Sequence, residues 1–320
     1  MKMSNIKNEA KKYIRKMVIY QTKKHFPRIE NEINPFFIVA IPGSLCEVAL
    51  CLRYIPEKQP VYIIANGLDN WDINWISDNL RCKGIIKILR TLPHGDVIDL
   101  LLDNVDGPFG IMDYDCFIFD ASIFTRLHDV SEKTLINAVF GHKNRKLNLD
   151  LPETFIMFLN TPVINGIRKK YKVDSNLTHY ESLTNEIKQK LLSIGIDDAH
   201  QPEDFKDYID TAKLWISLGL AEGYLINFFE RQYTLSTDFQ KVFHVGAGNK
   251  TNRLNSIWNV RGTYFWRRAL ETCEDKAIQK KYYKKYGSLK SSDIRLLAPE
   301  FCEKIGKEFF EVVEKVVNDA

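Results

Sequence analysis

Two carboxylates one residue apart, Asp113 and Asp115, sit inside an otherwise apolar stretch, GPFGIMDYDCFIFD, residues 107–120. In an extended segment, side chains at i and i+2 share a face, so both aspartates would point one way and Tyr114 the other. Two carboxylates in apolar surroundings are costly to desolvate unless a cation compensates them. A divalent metal ion answers that need: hard cations take carboxylate oxygens and keep positions free for phosphate oxygens. The alternative is a strand end whose aspartates cap a turn or meet an arginine. A D-x-D tripeptide is common by chance, so its weight depends on the elements around it.

Those elements read as alternating strands and helices. FFIVAIPG (36–43) predicts a strand ending in a Pro-Gly turn, and SLCEVALCLRYI (44–55) a helix with Ser44 and Glu47 as a capping box. A second strand over 60–67 ends at Asn66-Gly67; a helix at 71–80, a third strand at 84–91 and a helix at 94–105 follow. Residues 109–119 make the fourth strand. This order implies βαβ units and a mainly parallel sheet with right-handed crossovers. The strands are apolar throughout, as expected when helices cover both faces. Strands over 135–141 and 153–160, a helix at 162–171, a helical excursion within 174–204 and a helix at 208–222 come next. YLINFFE and QKVFHVGAG return to the sheet, and 262–320 is helical. The expected class is therefore α/β, with a basic helical segment over 1–35, a catalytic domain over 36–260 divided near 120, and a helical C-terminal extension over 261–320.

From about residue 36 to 120 the chain resembles the nucleotide-binding half of the GT-A glycosyltransferases of the family-2 type, which are Rossmann-like. Ile41-Pro42-Gly43 stands where that family ends its first strand, Asn66-Gly67-Leu68-Asp69 where it meets the nucleotide base, and Asp113-Tyr114-Asp115 at its DxD motif. The resemblance implies Asn66 or Asp69 at the base, Asp113 at the ribose or metal, and Asp115 on a metal bridging the diphosphate. All fall at carboxyl ends of strands, where open α/β sheets bind ligands. The second-strand turn lacks the usual acidic and serine spacing, and the match loosens beyond residue 120.

By the same resemblance, His94 and Gly95 lie in a loop passing the nucleotide, the glycine allowing close backbone approach; Pro93, Gly95 and Asp96 also suit a plain helix start. His244, in FHVGAG (243–248), is similar to the late histidine completing a metal site, and manganese accepts imidazole beside carboxylate. Gly246 and Gly248 would admit the diphosphate. A lone histidine on an apolar strand is otherwise a hydrogen-bonded core residue. Asp210, opening a helix, resembles the base that deprotonates an acceptor hydroxyl, with Glu203, Asp204 and Asp207 as competitors. Arg261, Arg267 and Arg268 around Tyr264-Phe265-Trp266 read as a surface helix with one aromatic face, or as a phosphate or sugar clamp.

The implied activity is transfer of a hexosyl group from a nucleoside diphosphate sugar, of UDP or GDP type, to a hydroxyl acceptor, with Mn2+ or Mg2+ as cofactor. A sugar nucleotidyltransferase or a silent GT-A-like binding module are the alternatives; the former usually carries basic residues after its first strand, absent from IPGSLCEVAL. A net charge of +4 over 320 residues gives no basis for a nucleic-acid partner. Six cysteines without a CxxC pair or zinc spacing read as reduced and structural, in a cytoplasmic setting. At the N-terminus, Lys7, Lys11, Lys12, Arg15, Lys16, Lys23 and Lys24 alternate with apolar residues. That pattern fits a helix packed on the domain by its apolar side, or one touching an anionic membrane surface.

Overall fold

The computed structural model describes residues 3–139, 141–144, 146–203, 206–229, 241–246 and 252–318. Asp204 and Gly248 lie outside them, as do the side chains of Lys7, Lys11 and Lys12. The strands in chain order are β1 (Phe36–Ala40), β2 (Val61–Asn66), β3 (Gly84–Ile88), β4 (Phe109–Met112), β5 (Cys116–Ile118) and β6 (Thr134–Ala138). They continue with β7 (Gly141–Asn144), β8 (Leu149–Pro152), β9 (Ile156–Leu159), β10 (Leu225–Phe228) and β11 (Val242–His244). Seven of them form one sheet in the order β10-β6-β9-β4-β1-β2-β3. Only β9 runs against its neighbours, pairing antiparallel with both β4 and β6. The protein is thus a mixed α/β fold with a mostly parallel central sheet flanked by helices, as the apolar runs implied.

Period-2 alternation explains how one strand serves two cores. Phe36, Ile38 and Ala40 of β1 face one apolar layer, built with helices Leu45–Arg53, Ile257–Thr272, Lys276–Tyr286 and Lys307–Asn318. Phe37 and Val39 face the other, built with helices His94–Asn104, Thr161–Tyr171 and Lys213–Ala221. Because helix Ile257–Thr272 is a full member of the first layer, the expected boundary at 260 falls inside it. Arg261 and Arg267 are buried in that helix, and Arg268 pairs with Glu314 at 2.6 Å. The surface helix expected there is an internal one.

The N-terminal helix Met3–His25 docks by Val18, with Phe26 just beyond its end, into the second core. Arg15 reaches Asp96 at 2.5 Å and Lys23 reaches Asp103 at 2.8 Å. Tyr13, Met17 and Tyr20 stay exposed. No helix among the described residues is long and apolar enough to cross a membrane.

Local chemistry departs from the sequence reading in four places. Ser44 forms no side-chain cap; its hydroxyl instead exchanges hydrogen bonds with the backbone of Ile41, accepting from the N–H at 3.0 Å and donating to the carbonyl at 2.8 Å. Among the described residues of 174–204, the helical excursion holds only the short turn Tyr180–Ser182 and helix Asn185–Leu192. The helix expected from 208 begins at Lys213, because Ala212 adopts a left-handed φ of 67° that breaks the helical run. The single strand expected over 109–119 is two: β4 ends at Met112, and β5 leaves for a small antiparallel sheet with β11.

Candidate metal centre

Because the strand breaks, Asp113-Tyr114-Asp115 forms a turn at the carboxyl end of β4, closed by the Cys116 N–H donating to the Asp113 carbonyl at 3.2 Å. The aspartates share a side through this turn rather than through strand alternation. Three other elements hold it. The Cys51 thiol, from helix Leu45–Arg53, donates to the Cys116 carbonyl at 3.3 Å. The Asp113 N–H donates to the Phe155 carbonyl at 2.8 Å, and the Val245 N–H to the Asp115 carbonyl at 3.1 Å. The antiparallel pairing of β11 with β5, His244 opposite Cys116, then brings a histidine distant in sequence onto the turn.

The resulting cluster is compact. His244 Nε2 lies 3.5 Å from Asp115 Oδ1 and 3.9 Å from Asp113 Oδ2. One donor atom from each of the three residues falls within 4.8 Å of the others, forming a group able to hold a metal ion. Phe155 stacks on the imidazole, with ring centroids 4.0 Å apart, and fixes its plane. The Gly246 N–H donates to Asp115 Oδ2 at 3.2 Å, leaving Oδ1 toward the histidine. Gly246 has φ +81°, and a Cβ there would meet the Trp258 ring at 3.2 Å, so a side chain there would be strained. Its backbone N–H serves Asp115.

Behind the cluster, buried Arg261 donates to the His244 carbonyl at 2.8 Å while its Nε has no hydrogen-bond partner. Burial pulls this guanidinium down to about 10, opposed by the nearby Asp115 charge. Burial pushes the Asp113 carboxyl up; the Asp115 charge adds to that, and His94 and His244 draw it back. A buried carboxylate, Asp115, beside the partly exposed Asp113 calls for positive charge in front of them.

The cluster opens into a cavity of about 320 Å³ lined by residues from the ends of successive strands: Ile41 after β1, Asn66 of β2, Leu92 and His94 after β3, and the Asp113–Asp115 turn. His94 faces Asp113, and its Nε2 is buried without a hydrogen-bond partner. Asn66 is committed elsewhere: its amide donates to the Leu92 carbonyl at 2.9 Å and accepts from the Leu92 N–H at 2.8 Å. This clamp fixes the loop that delivers His94.

The remaining expected residues do not line the cavity. Asp69 caps helix Asn70–Asn79 by accepting from the Asp72 N–H at 2.9 Å and pairs with Lys281 at 2.8 Å. The Pro42 carbonyl accepts from the Tyr286 hydroxyl at 3.1 Å. Gly95 faces the other way, where a Cβ would sit 2.5 Å from the Ser175 carbonyl oxygen, so its smallness serves chain packing. Asp210 pairs with Lys206 at 2.5 Å and accepts from the Thr211 N–H at 2.7 Å. Burial alone would raise its carboxyl, but Lys206 holds it below the ordinary value. Sequence reasoning missed Cys51, Phe155 and Arg261 as supports, since none stands near the aspartates or the histidine in a recognisable pattern.

Solved structures with partial likeness include a mannosyltransferase from Pyrobaculum calidifontis in complex with GDP-Man and Mn2+. It is 8% identical, with TM-score 0.38, covering 95% of this chain and 92% of that one. Another is the glycosyltransferase GlyE of Streptococcus pneumoniae, 10% identical, TM-score 0.36, covering 85% and 64%. HddC from Yersinia pseudotuberculosis matches at 13% identity and TM-score 0.32, covering 42% and 79%. By sequence, 95 residues are 27% identical to the dTDP-dihydrostreptose--streptidine-6-phosphate dihydrostreptosyltransferase of Streptomyces griseus, 30% of this chain and 25% of that enzyme's length. Residues 15–164, which carry the cavity wall from Ile41 to Asp115, match the family described as the StrH glycosyltransferase N-terminal domain.

Proposed function

We propose that this protein is a metal-dependent glycosyltransferase of GT-A type, in which Asp113, Asp115 and His244 bind Mn2+ or Mg2+ and, through it, the diphosphate of a nucleoside diphosphate sugar. The observation that carries the reading is the three-residue cluster at the mouth of a cavity formed by strand carboxyl ends. The match of residues 15–164 to a glycosyltransferase domain supports it.

The donor set suits the ion. Two carboxylates and an imidazole are ligands that manganese accepts, and the histidine lies 3.5 and 3.9 Å from the two carboxylates. When bound, the metal would supply Lewis-acid neutralisation of charge gathering on the departing diphosphate. Asp115 is oriented by the Gly246 N–H, and the His244 ring by Phe155. His94, with its unpaired Nε2 beside Asp113, would donate to a phosphate or ribose oxygen. Asp210 is ion-paired with Lys206. It could accept a proton from an acceptor hydroxyl in an inverting transfer only after that pair opened. The relative from Streptomyces griseus is named for a dTDP-sugar donor, so the donor nucleotides to test are dTDP, UDP and GDP.

Calorimetric titration with manganese chloride, with and without each nucleoside diphosphate, tests the proposal. Asp115→Asn should lower manganese affinity by at least about tenfold, the equivalent of 1.4 kcal/mol, with unchanged circular dichroism. Manganese affinity equal to wild type in that folded variant would overturn the metal assignment.

A further inference from the structure

The N-terminal helix Met3–His25 has two distinct sides, and the domain uses one of them. At about 100° per residue, Val18 and Thr22 share the side turned to the domain, where both are buried. Arg15 and Lys23 reach back to Asp96 and Asp103 at 2.5 and 2.8 Å. Tyr13, Met17, Tyr20 and Lys24 recur at helical spacing and so share a sector of about 60° on the opposite side. There Tyr13 is 71% exposed, Met17 48% and Tyr20 67%. Lys16 and Lys24 are exposed beside them. We propose that this outer face is a docking surface for a membrane containing anionic phospholipid, on which the protein rests peripherally.

Charge and side-chain type select that occupant. Residues 10–25 contain no Asp or Glu, and the acids that pair with Arg15 and Lys23 do so from the docked side. Among the described residues no acid pairs with Lys16 or Lys24, so the outer face offers positive charge to lipid phosphate. Tyrosine has an apolar ring with a polar tip, and methionine a pliable apolar chain. Both suit the boundary between headgroups and acyl chains. The combination is that of a helix lying in the interface, with lysines on its flanks.

A second copy of this helix fits the face less well. The stripe spans about three turns, short of the three or four heptads that mark a coiled coil. A symmetric pair would also bury Lys24 in its seam. The two ion pairs run in the same order along both partners, so helix Met3–His25 lies parallel to helix His94–Asn104. The docking helix is thereby tied to the one whose first residue, His94, lines the metal cavity. None of the docking side chains lines that cavity.

Flotation of the full chain with phosphatidylcholine vesicles, and with vesicles of phosphatidylcholine and phosphatidylglycerol, tests the proposal. Protein should be recovered with the anionic vesicles only, and lost in about 1 M salt, where the screening length falls to about 3 Å. A lysine close to an anionic surface contributes about fivefold to the partition coefficient, so Lys16→Gln combined with Lys24→Gln should lower it about 25-fold. Met17→Ser combined with Tyr20→Ser should lower it at unchanged charge. These four side chains are exposed, so circular dichroism should match wild type in both variants. Recovery with neither vesicle, equal recovery with both, or wild-type partitioning of the lysine variant would overturn the assignment. So would a dimer in solution, read by light scattering, that Met17→Ser dissociates, because a second copy would then cover the face. Neither variant alters Asp113, Asp115 or His244, so flotation and the manganese titration can fail separately.

Discussion

Replacing Asn66 isolates the clamp that holds the His94 loop. In the wild type the Asn66 amide satisfies both the N–H and the carbonyl of Leu92, at 2.8 and 2.9 Å, and the residue is 2% exposed. Asn66→Ala leaves two buried backbone groups without partners; at about 1–3 kcal/mol each, less what cavity water restores, the loss is about 2–4 kcal/mol. Asn66→Asp is more diagnostic. Its carboxylate still accepts from the Leu92 N–H but opposes the Leu92 carbonyl, so the folded-state pKa of the introduced carboxyl must rise. In acid, the protonated carboxyl donates to that carbonyl and the clamp is whole. The sign follows: stability is fully present below the unfolded-state pKa of about 3.9 and is lost as pH rises through the folded value. The loss is about 1.36 kcal/mol for each pH unit that separates the folded and unfolded values. Urea unfolding followed by tryptophan fluorescence across that range reads the effect without any nucleotide. An Asn66→Ala loss under about 0.5 kcal/mol, or a pH-independent Asn66→Asp, would refute the clamp and return Asn66 to a ligand-facing role.

Two further perturbations follow from packing. A Cβ on Gly110 would lie 2.3 Å from the Phe36 ring, itself wedged by Phe124 and Phe158, so Gly110→Ala should cost about 1–3 kcal/mol and lower the Tm. His128 lies beside Phe36 and Phe158, its Nε2 buried without a partner, and burial lowers its pKa below the ordinary 6.5. A base that resists protonation only when folded gives stability that is present above pH 6.5 and falls as the pH drops below it. The urea midpoint should therefore fall between about pH 8 and pH 5.5 by more in wild type than in His128→Leu; equal declines would disprove it.

Patterns repeating within a few residues were legible in the sequence. Apolar runs such as Phe36–Ala40 and Val61–Asn66 must be covered on both faces, and in the fold they are. The pairing of Asp113 and Asp115, and the pairing of both with His244, was readable because residue type limits which side chains can share a cation. Other residues belong to contacts the sequence does not display. Ser44 binds Ile41 rather than capping because the Pro-Gly turn brings that backbone within reach. Asp69 meets Lys281 only because helix Lys276–Tyr286 folds back onto the carboxyl end of β2.

By itself the sequence determined the layered α/β class and the kinds of group available for a metal, since periodicity and side-chain chemistry are properties of the chain. Tertiary structure decided how those groups are used. It broke the fourth strand at Asp113, set β11 antiparallel to β5 so that His244 reaches the turn, and placed Cys51, Phe155 and Arg261 behind it. It also gave Asn66, in the cavity wall, a clamp on Leu92 that the sequence does not display. The physical reason is that hydrogen-bond satisfaction of buried groups is settled among residues far apart in the chain, and only the folded molecule brings them together.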